Sequence, residues 1–217
     1  KDTPDKHINH VLAAGLDWGN EENYTCITIG CRTCKRIVYW EKFSLLGYMA
    51  QRERVFRILR EWKNPPVLPE RNSVGLPNLE IMVAGGLHVM RGPDGNLGFN
   101  TSSVTKPVLI QKMALALQYE DLYIPAEFKD EFAVFELSFT SAGQPIFEAP
   151  RGFNDDEVMS TALCNYALNE FVSWDGFSDL GKIEGYVNQY AALPDSNVEI
   201  DFLNPLEDER QGNSKWA

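Results

Sequence analysis

Apolar residues along this chain alternate between two periods, and each change of period marks an element. Residues 11–17 are a short apolar run of small side chains ending at Trp18-Gly19-Asn20, the pattern of a buried strand followed by a turn. Residues 24–30 and 37–43 are β-branched and aromatic runs on either side of the polar Arg32-Thr33-Cys34-Lys35, so they predict two further strands of an antiparallel meander. Over residues 48–62 the spacing becomes helical. Val55, Phe56, Leu59 and Trp62 share one face, while Arg54, Arg57 and Arg60 share the opposite one. Pro65 and Pro66 end that helix, since proline lacks the N–H and clashes with the preceding turn.

Residues 67–70 predict a short strand ending in an acid, residues 76–84 a helix closed by Gly85-Gly86, and residues 87–90 a returning strand. Residues 91–103, rich in Gly, Asn and Ser, read as a flexible loop. Helical spacing resumes over 105–119 with Leu109, Met113 and Leu117, and Ser103 or Thr105 is the expected cap. Short strands are expected over 122–124, 136–140 and 145–148, the last two joined through Ser141-Ala142-Gly143-Gln144. Asn154 is the expected N-cap of a final helix running to about Phe171. The pattern weakens from Trp174, and the acidic tail after Leu193 is predicted to be mobile. The order predicts an α/β fold, a mixed sheet with helices on both faces: three antiparallel strands, a helix, then alternating strands and helices. The expected division is an N-terminal linker over 1–10, one domain over 11–172 and an extension, flexible in part, over 173–217.

Composition sharpens this only in places. A length of 217 residues, 44% of them hydrophobic, suits one domain with its own core. No apolar run approaches the roughly 18 residues that span a bilayer, so a soluble protein without membrane contact is expected. The polar start at Lys1 lacks Met and does not read as a signal peptide; a piece excised from a longer protein is the expectation. The net charge of −11 argues against tight non-specific coating of nucleic acid. That charge is unevenly spread, however: residues 1–64 carry 11 Lys and Arg against 8 Asp and Glu, and the remainder 9 against 23. A locally basic face is compatible with this acidic total. Cys31 and Cys34 form a CxxC, but no second CxxC or Cys/His pair follows at zinc-ribbon spacing, and His7 and His10 join them only if folding happens to bring them there. A hairpin turn carrying reduced thiols is the plainer expectation.

Candidate chemistry lies where an acid is awkward for folding. Asp17 ends a strand otherwise built of Ala, Gly and Leu, where a charge is costly unless paired or metal-bound, although a turn-forming Asp before Trp18-Gly19 also fits. Glu70 follows Val67-Leu68-Pro69 at a strand end, where ligands collect in open sheets; a surface Glu paired with Arg71 is the plain alternative. At 100° per residue Val158, Met159, Ala162, Leu163 and Tyr166 form an apolar stripe, with Asp155 near its centre and Asp156 at its edge. First-turn acids complementing the helix dipole would look similar, above all at Asp156 and Glu157. Carboxylates converging from separate elements are what two-metal phosphodiester hydrolysis requires.

With those positions marked, the chain resembles the nuclease domain of phage terminase large subunits. The resemblance is carried by Ala14-Gly15-Leu16-Asp17-Trp18-Gly19, Pro69-Glu70-Arg71-Asn72-Ser73-Val74-Gly75, Thr105-Lys106-Pro107, Phe135-Glu136-Leu137 and the run from Ala149 to Ser160. It implies an RNase H-like fold and a Mg²⁺- or Mn²⁺-dependent endonuclease that cuts concatemeric viral double-stranded DNA at the initiation and termination of packaging in the host cytoplasm. It assigns metal binding to Asp17, Glu70 and one or both of Asp155 and Asp156. Asp17 would bridge two divalent cations, with Glu70 and Asp155 each completing one set of ligands. The family often has His where this chain has Asn154, which cannot accept a proton, so His-assisted chemistry is not expected.

The implied partners are DNA, an ATPase motor domain, the portal and a small terminase subunit. The chain itself has no GxxxxGK[ST] loop to supply the motor. Arg54, Arg57, Arg60, Lys106 and the 91–103 loop are expected to touch the DNA backbone, although a solvated helix face explains the arginines equally well, and capping or surface solvation explains Lys106 as well as a phosphate contact. Two alternatives stand beside this function: a non-catalytic module that docks a packaging motor, and an RNase H-like nuclease acting on branched DNA or hybrids.

Overall fold

The central strand β1 (Leu12–Asp17) pairs antiparallel with β2 (Thr25–Cys31) on one side and parallel with β4 (Val67–Pro69) on the other. Strand β3 (Arg36–Phe43) pairs antiparallel with β2, giving the order β3-β2-β1-β4. The computed structural model describes residues 1–19, 24–44, 47–72, 75–139 and 145–171. The predicted turn over 141–144 and everything expected beyond residue 171 lie outside them.

The helices follow the faces of the strands. Alternate residues of β1 point to opposite sides of the sheet. Ala14 and Leu16 join Ile27 and Ile29 beneath α1 (Tyr48–Glu61) and α2 (Gly75–Ala84), which contribute Val55, Ile58, Leu59, Leu79 and Met82. Ala13 faces the other layer, where α3 (Thr105–Gln118) and α5 (Asp156–Phe171) supply Leu109, Ile110, Met113, Val158, Ala162 and Leu163. Every residue of β2 is buried, as expected of a strand covered on both faces. A mixed sheet with helices on both sides is therefore the observed architecture. Beside it, β5 (Glu136–Phe139) and β6 (Pro145–Glu148) form a separate antiparallel pair.

Several expectations are corrected. Residues 87–90 and 122–124 form no strands; each makes only isolated bridges, Val67 with Val89 and Arg36 with Tyr123. The partner β4 is only three residues long and contains Pro69, which limits any ladder beside it. The 91–103 stretch is pinned rather than loose. Arg71 donates to Asp94 at 2.6 Å, Phe99 N–H donates to Pro69 O at 2.8 Å, and the Phe99 ring is buried. Ser102, rather than Ser103, accepts from the amides that lead into α3, those of Val104 and Thr105, and Thr105 Oγ1 donates back to Asn100 O. Helix α4 (Lys129–Val134), preceded by a 3₁₀ turn over Ala126–Phe128, was not anticipated, because six residues are too few to display a helical period. Residues 1–10 pack against the sheet: a 3₁₀ turn spans Pro4–His7, His7 is buried, and Asp2 N–H donates to Val38 O.

Candidate metal centre

Asp17 and Glu70 occupy the ends of adjacent parallel strands. Leu16 lies opposite Pro69 in the register, and Glu70 N–H donates to Leu16 O at 2.8 Å, so the next residue of each strand brings a carboxylate to the same edge. Counting from Ala13, Asp17 falls on the face covered by α3 and α5. The sheet therefore directs Asp17 towards the start of α5, and Glu70 stands beside it.

Gly15 sets how closely α5 can approach. A Cβ built there would sit 2.0 Å from Ser160 O and 2.3 Å from Cys164 N, so the helix backbone lies directly on the strand. Thr28 Oγ1 and Ser160 Oγ, 2.8 Å apart and buried, fix the same crossing from β2. This seating carries the two acids at the head of α5 to the edge occupied by Asp17. The helix begins at Asp156, and Asp155 precedes it as the cap, its carbonyl accepting from Met159 N–H at 2.8 Å. Helical phase thus does not govern Asp155, and the expectation that it points further inward than Asp156 is reversed. The Asp156 side chain is 14% exposed and that of Asp155 30%.

Electrostatics tie the four acids together. Burial drives the Asp17 carboxyl well above the usual range; the negative charge of Glu70 and a hydrogen bond with it add to this, followed by the charges of Asp156 and Asp155. Burial likewise raises Asp156 to about 6, with Glu131 and Asp155 adding to the shift and Lys42 opposing it. Glu157 is pushed up to about 7, by burial first and by Glu131 second. Acids crowded this way favour neutralisation by protons or by cations. Hard carboxylate oxygens are the donors that Mg²⁺ and Mn²⁺ prefer. Asp156 Oδ2 is also buried without a hydrogen bond, its nearest cation being the Lys42 ammonium at 3.3 Å. The residues present therefore fit divalent cations. The carboxylates are spread out rather than closed around one point: no three of them offer oxygens within 4.8 Å of one another.

Two lysines hold them in this spread arrangement. Lys106, from the first turn of α3, donates to Asp155 Oδ2 at 3.0 Å and lies over the Phe135 ring. Lys42, at the end of β3, pairs with both Glu131 and Asp156, and Glu131 also accepts from the Glu157 N–H at 2.7 Å. Asn72 approaches Glu70 Oε1 at 3.4 Å while donating to Thr101 O, and Arg71, the expected partner of Glu70, is drawn to Asp94 instead. Sequence reasoning missed Lys42, Glu131 and Asn72. Glu131 sits in the unanticipated α4, and a lysine closing a strand carries no distinguishing signal.

The structure brings Asp17, Glu70, Asp155, Asp156 and Lys106 together but not the three arginines. Arg54, Arg57 and Arg60 ride on α1, which covers the opposite face of the sheet. Arg54 pairs with Glu41, Arg60 reaches Gly85 O, and Arg57 is exposed.

No protein-family model matches the chain, and no curated protein matches it. Solved structures do. The large terminase nuclease of thermophilic phage G20c aligns with a TM-score of 0.64 at 22% identity, over 73% of this chain and 83% of its own. The fold is that of a large terminase nuclease domain. The nuclease domain of the Thermus phage P74-26 large terminase gives the same answer, with a TM-score of 0.63 at 21% identity over 82% of this chain and 85% of that one. The large terminase of a further thermophilic bacteriophage aligns at 0.53 and 11% identity, over 76% of this chain and 41% of that longer one. At such identities the likeness to these terminase domains is one of fold. The G20c nuclease has also been solved with bound magnesium and with bound cobalt.

Proposed function

We propose that this chain is a divalent-metal-dependent endonuclease that cuts double-stranded viral DNA at the initiation and termination of genome packaging. The observation that carries the reading is the convergence of Asp17, Glu70, Asp155 and Asp156, from two strand ends and one helix start, at one edge of a terminase-nuclease fold. Two divalent cations, Mg²⁺ or Mn²⁺, would there activate water and stabilise the leaving oxygen. Asp17, flanked by Glu70, by Asp155 and by Asp156 at the start of α5, would be the central ligand, with Glu70, Asp155 and Asp156 completing the set of carboxylates that would hold the ions. Lys106 keeps Asp155 oriented and offers an ammonium to the scissile phosphate. Lys42 balances the negative charge of Asp156 and Glu131. Asn154 contributes no proton transfer.

The partners belonging to this reading are duplex DNA, an ATPase motor domain, the portal and a small terminase subunit, in the cytoplasm of an infected cell. No helix among the described residues is long and apolar enough to cross a membrane. A substrate panel in Mn²⁺ tests the reading: linear duplex, four-way junction and RNA–DNA hybrid. Preferential cutting of the duplex supports it, whereas preference for junction or hybrid moves the function to another RNase H-like nuclease. Absence of any cutting, together with no metal-induced rise in Tm, would leave a docking module.

A further inference from the structure

On the far side of the domain four potential ligands meet that the nuclease reading does not use. His7 and His10 come from the N-terminal 3₁₀ turn and the residues after it; Cys31 ends β2 and Cys34 lies in the β2–β3 turn. One ligand atom from each of the four lies within 4.8 Å of all the others. The separations are 3.1 Å between the two histidine Nδ1 atoms, 3.3 and 3.8 Å from Cys34 Sγ to the Nδ1 of His10 and His7, and 3.5 Å from Cys31 Sγ to His10 Nδ1. A tetrahedral ion with bonds of about 2.3 Å to sulfur and 2.0–2.1 Å to nitrogen needs ligand-to-ligand edges of roughly 3.3–3.8 Å. The observed edges are those of such a tetrahedron to within a few tenths of an ångström.

We propose that His7, His10, Cys31 and Cys34 form a structural Cys₂His₂ zinc site that clamps the N-terminal segment to the β2–β3 turn.

The surroundings are arranged for this. His7 Nε2 lies 3.1 Å from Asp2 Oδ2, so the ring proton belongs on Nε2 and the Nδ1 lone pair faces the cluster. A carboxylate behind a ligating histidine is the usual outer support of a zinc ligand. Asp2 is itself held by Arg36 at 2.5 Å and Lys6 at 3.1 Å. The Cys34 N–H donates to Cys31 Sγ at 3.3 Å, a backbone contact that orients this sulfur. All four positions are filled by protein, which marks a structural rather than a hydrolytic ion. The soft sulfur and imidazole donors also separate this site chemically from the oxygen-only acids beside Asp17. The spacings in sequence, HxxH and CxxC, are short, but 20 residues part them, so only folding brings them together.

The test is metal analysis of the reduced chain as purified, native and carrying Asp17→Ala, Cys34→Ser or Asp2→Asn, followed by Co²⁺ titration of the chelator-stripped native protein. One zinc per chain is expected in the native and Asp17→Ala proteins. Zinc should be lost in Cys34→Ser, and affinity should fall roughly 10–100-fold in Asp2→Asn, as for other outer-shell partners. Co²⁺ should give the intense visible bands of a tetrahedral thiolate complex. Stripping zinc should speed proteolysis within residues 1–10 while leaving the sheet protected. A native chain that holds no zinc and gives no thiolate–Co²⁺ bands overturns the proposal, as does zinc retained at full stoichiometry in Cys34→Ser. The native Co²⁺ spectrum decides the matter even if Cys34→Ser fails to fold.

Discussion

Gly15→Ala offers a single-methyl test of how the acidic edge is assembled. The added Cβ would lie 2.0 Å from Ser160 O and 2.3 Å from Cys164 N, and ordinary contact begins at 3.4 Å, so strand and helix must part locally by about 1.4 Å. Both obstacles are backbone atoms of α5 and cannot swing aside as a side chain end would. Overpacking of this kind costs about 1–3 kcal/mol, and the rigid neighbours place this case at the upper end. For a domain of this size that corresponds to a fall in Tm of roughly 6–12 °C. The same displacement moves Asp155 and Asp156 relative to Asp17, and misplacement by about 1 Å can reduce a rate on the order of 10²-fold. Thermal unfolding in EDTA measures the first effect and Mn²⁺-dependent DNA cleavage the second. Gly47→Ala is the control, because a Cβ there meets nothing within 4 Å. If Gly15→Ala melts with the native protein and cuts DNA at the native rate, α5 is not seated on β1 at Gly15 and the geometry of the acidic edge is wrong.

Other outcomes follow from the same contacts. Asp17→Asn should raise Tm in EDTA at neutral pH by removing a buried, mutually repelled carboxylate, yet lose the further rise that Mn²⁺ gives the native protein; a Tm unchanged in EDTA would show that the carboxylates are not in conflict. Asp156 at about 6 and Glu157 at about 7 are raised, by burial first, so the folded state binds more protons than the unfolded one. The stability they contribute in EDTA is full below about pH 4 and lost as pH rises through 6–7, so the urea midpoint should fall between about pH 4 and 7, which urea melts across that window would check. Lys106→Met should slow cleavage on the order of 10²-fold while the Mn²⁺-induced Tm rise persists, since the lysine touches Asp155 and, in the proposed function, would meet the scissile phosphate rather than the ions. Thr28→Val should cost about 1 kcal/mol in denaturant unfolding, because Ser160 keeps a second oxygen partner in Glu157 O.

Most of the sheet was legible in the sequence because its strands are long and their neighbours follow directly in the chain. β1, β2, β3, α1 and α5 each carry enough residues to show a period, and each starts or stops within two residues of its expected bound. Asp17 and Glu70 stood out because each closes an otherwise apolar strand. What was hidden depends on distance in the chain. Lys42, Glu131 and Asp156 are neighbours only through the meeting of β3, α4 and α5. The assembly of His7, His10, Cys31 and Cys34 rests on the N-terminal turn folding back on β2, which no local pattern announces. Asp155 lies one residue before the start of α5, so the helical period that would turn it further inward than Asp156 does not apply to it.

The most direct measurement is cleavage of supercoiled plasmid by the native chain and by Asp17→Ala, each in Mn²⁺, Mg²⁺ and EDTA. If the edge shared by Asp17, Glu70, Asp155 and Asp156 is a metal-dependent hydrolytic centre, the native protein nicks or linearises the plasmid with metal, not with EDTA, and the variant does neither. Cleavage that persists in Asp17→Ala, or in EDTA, would contradict it.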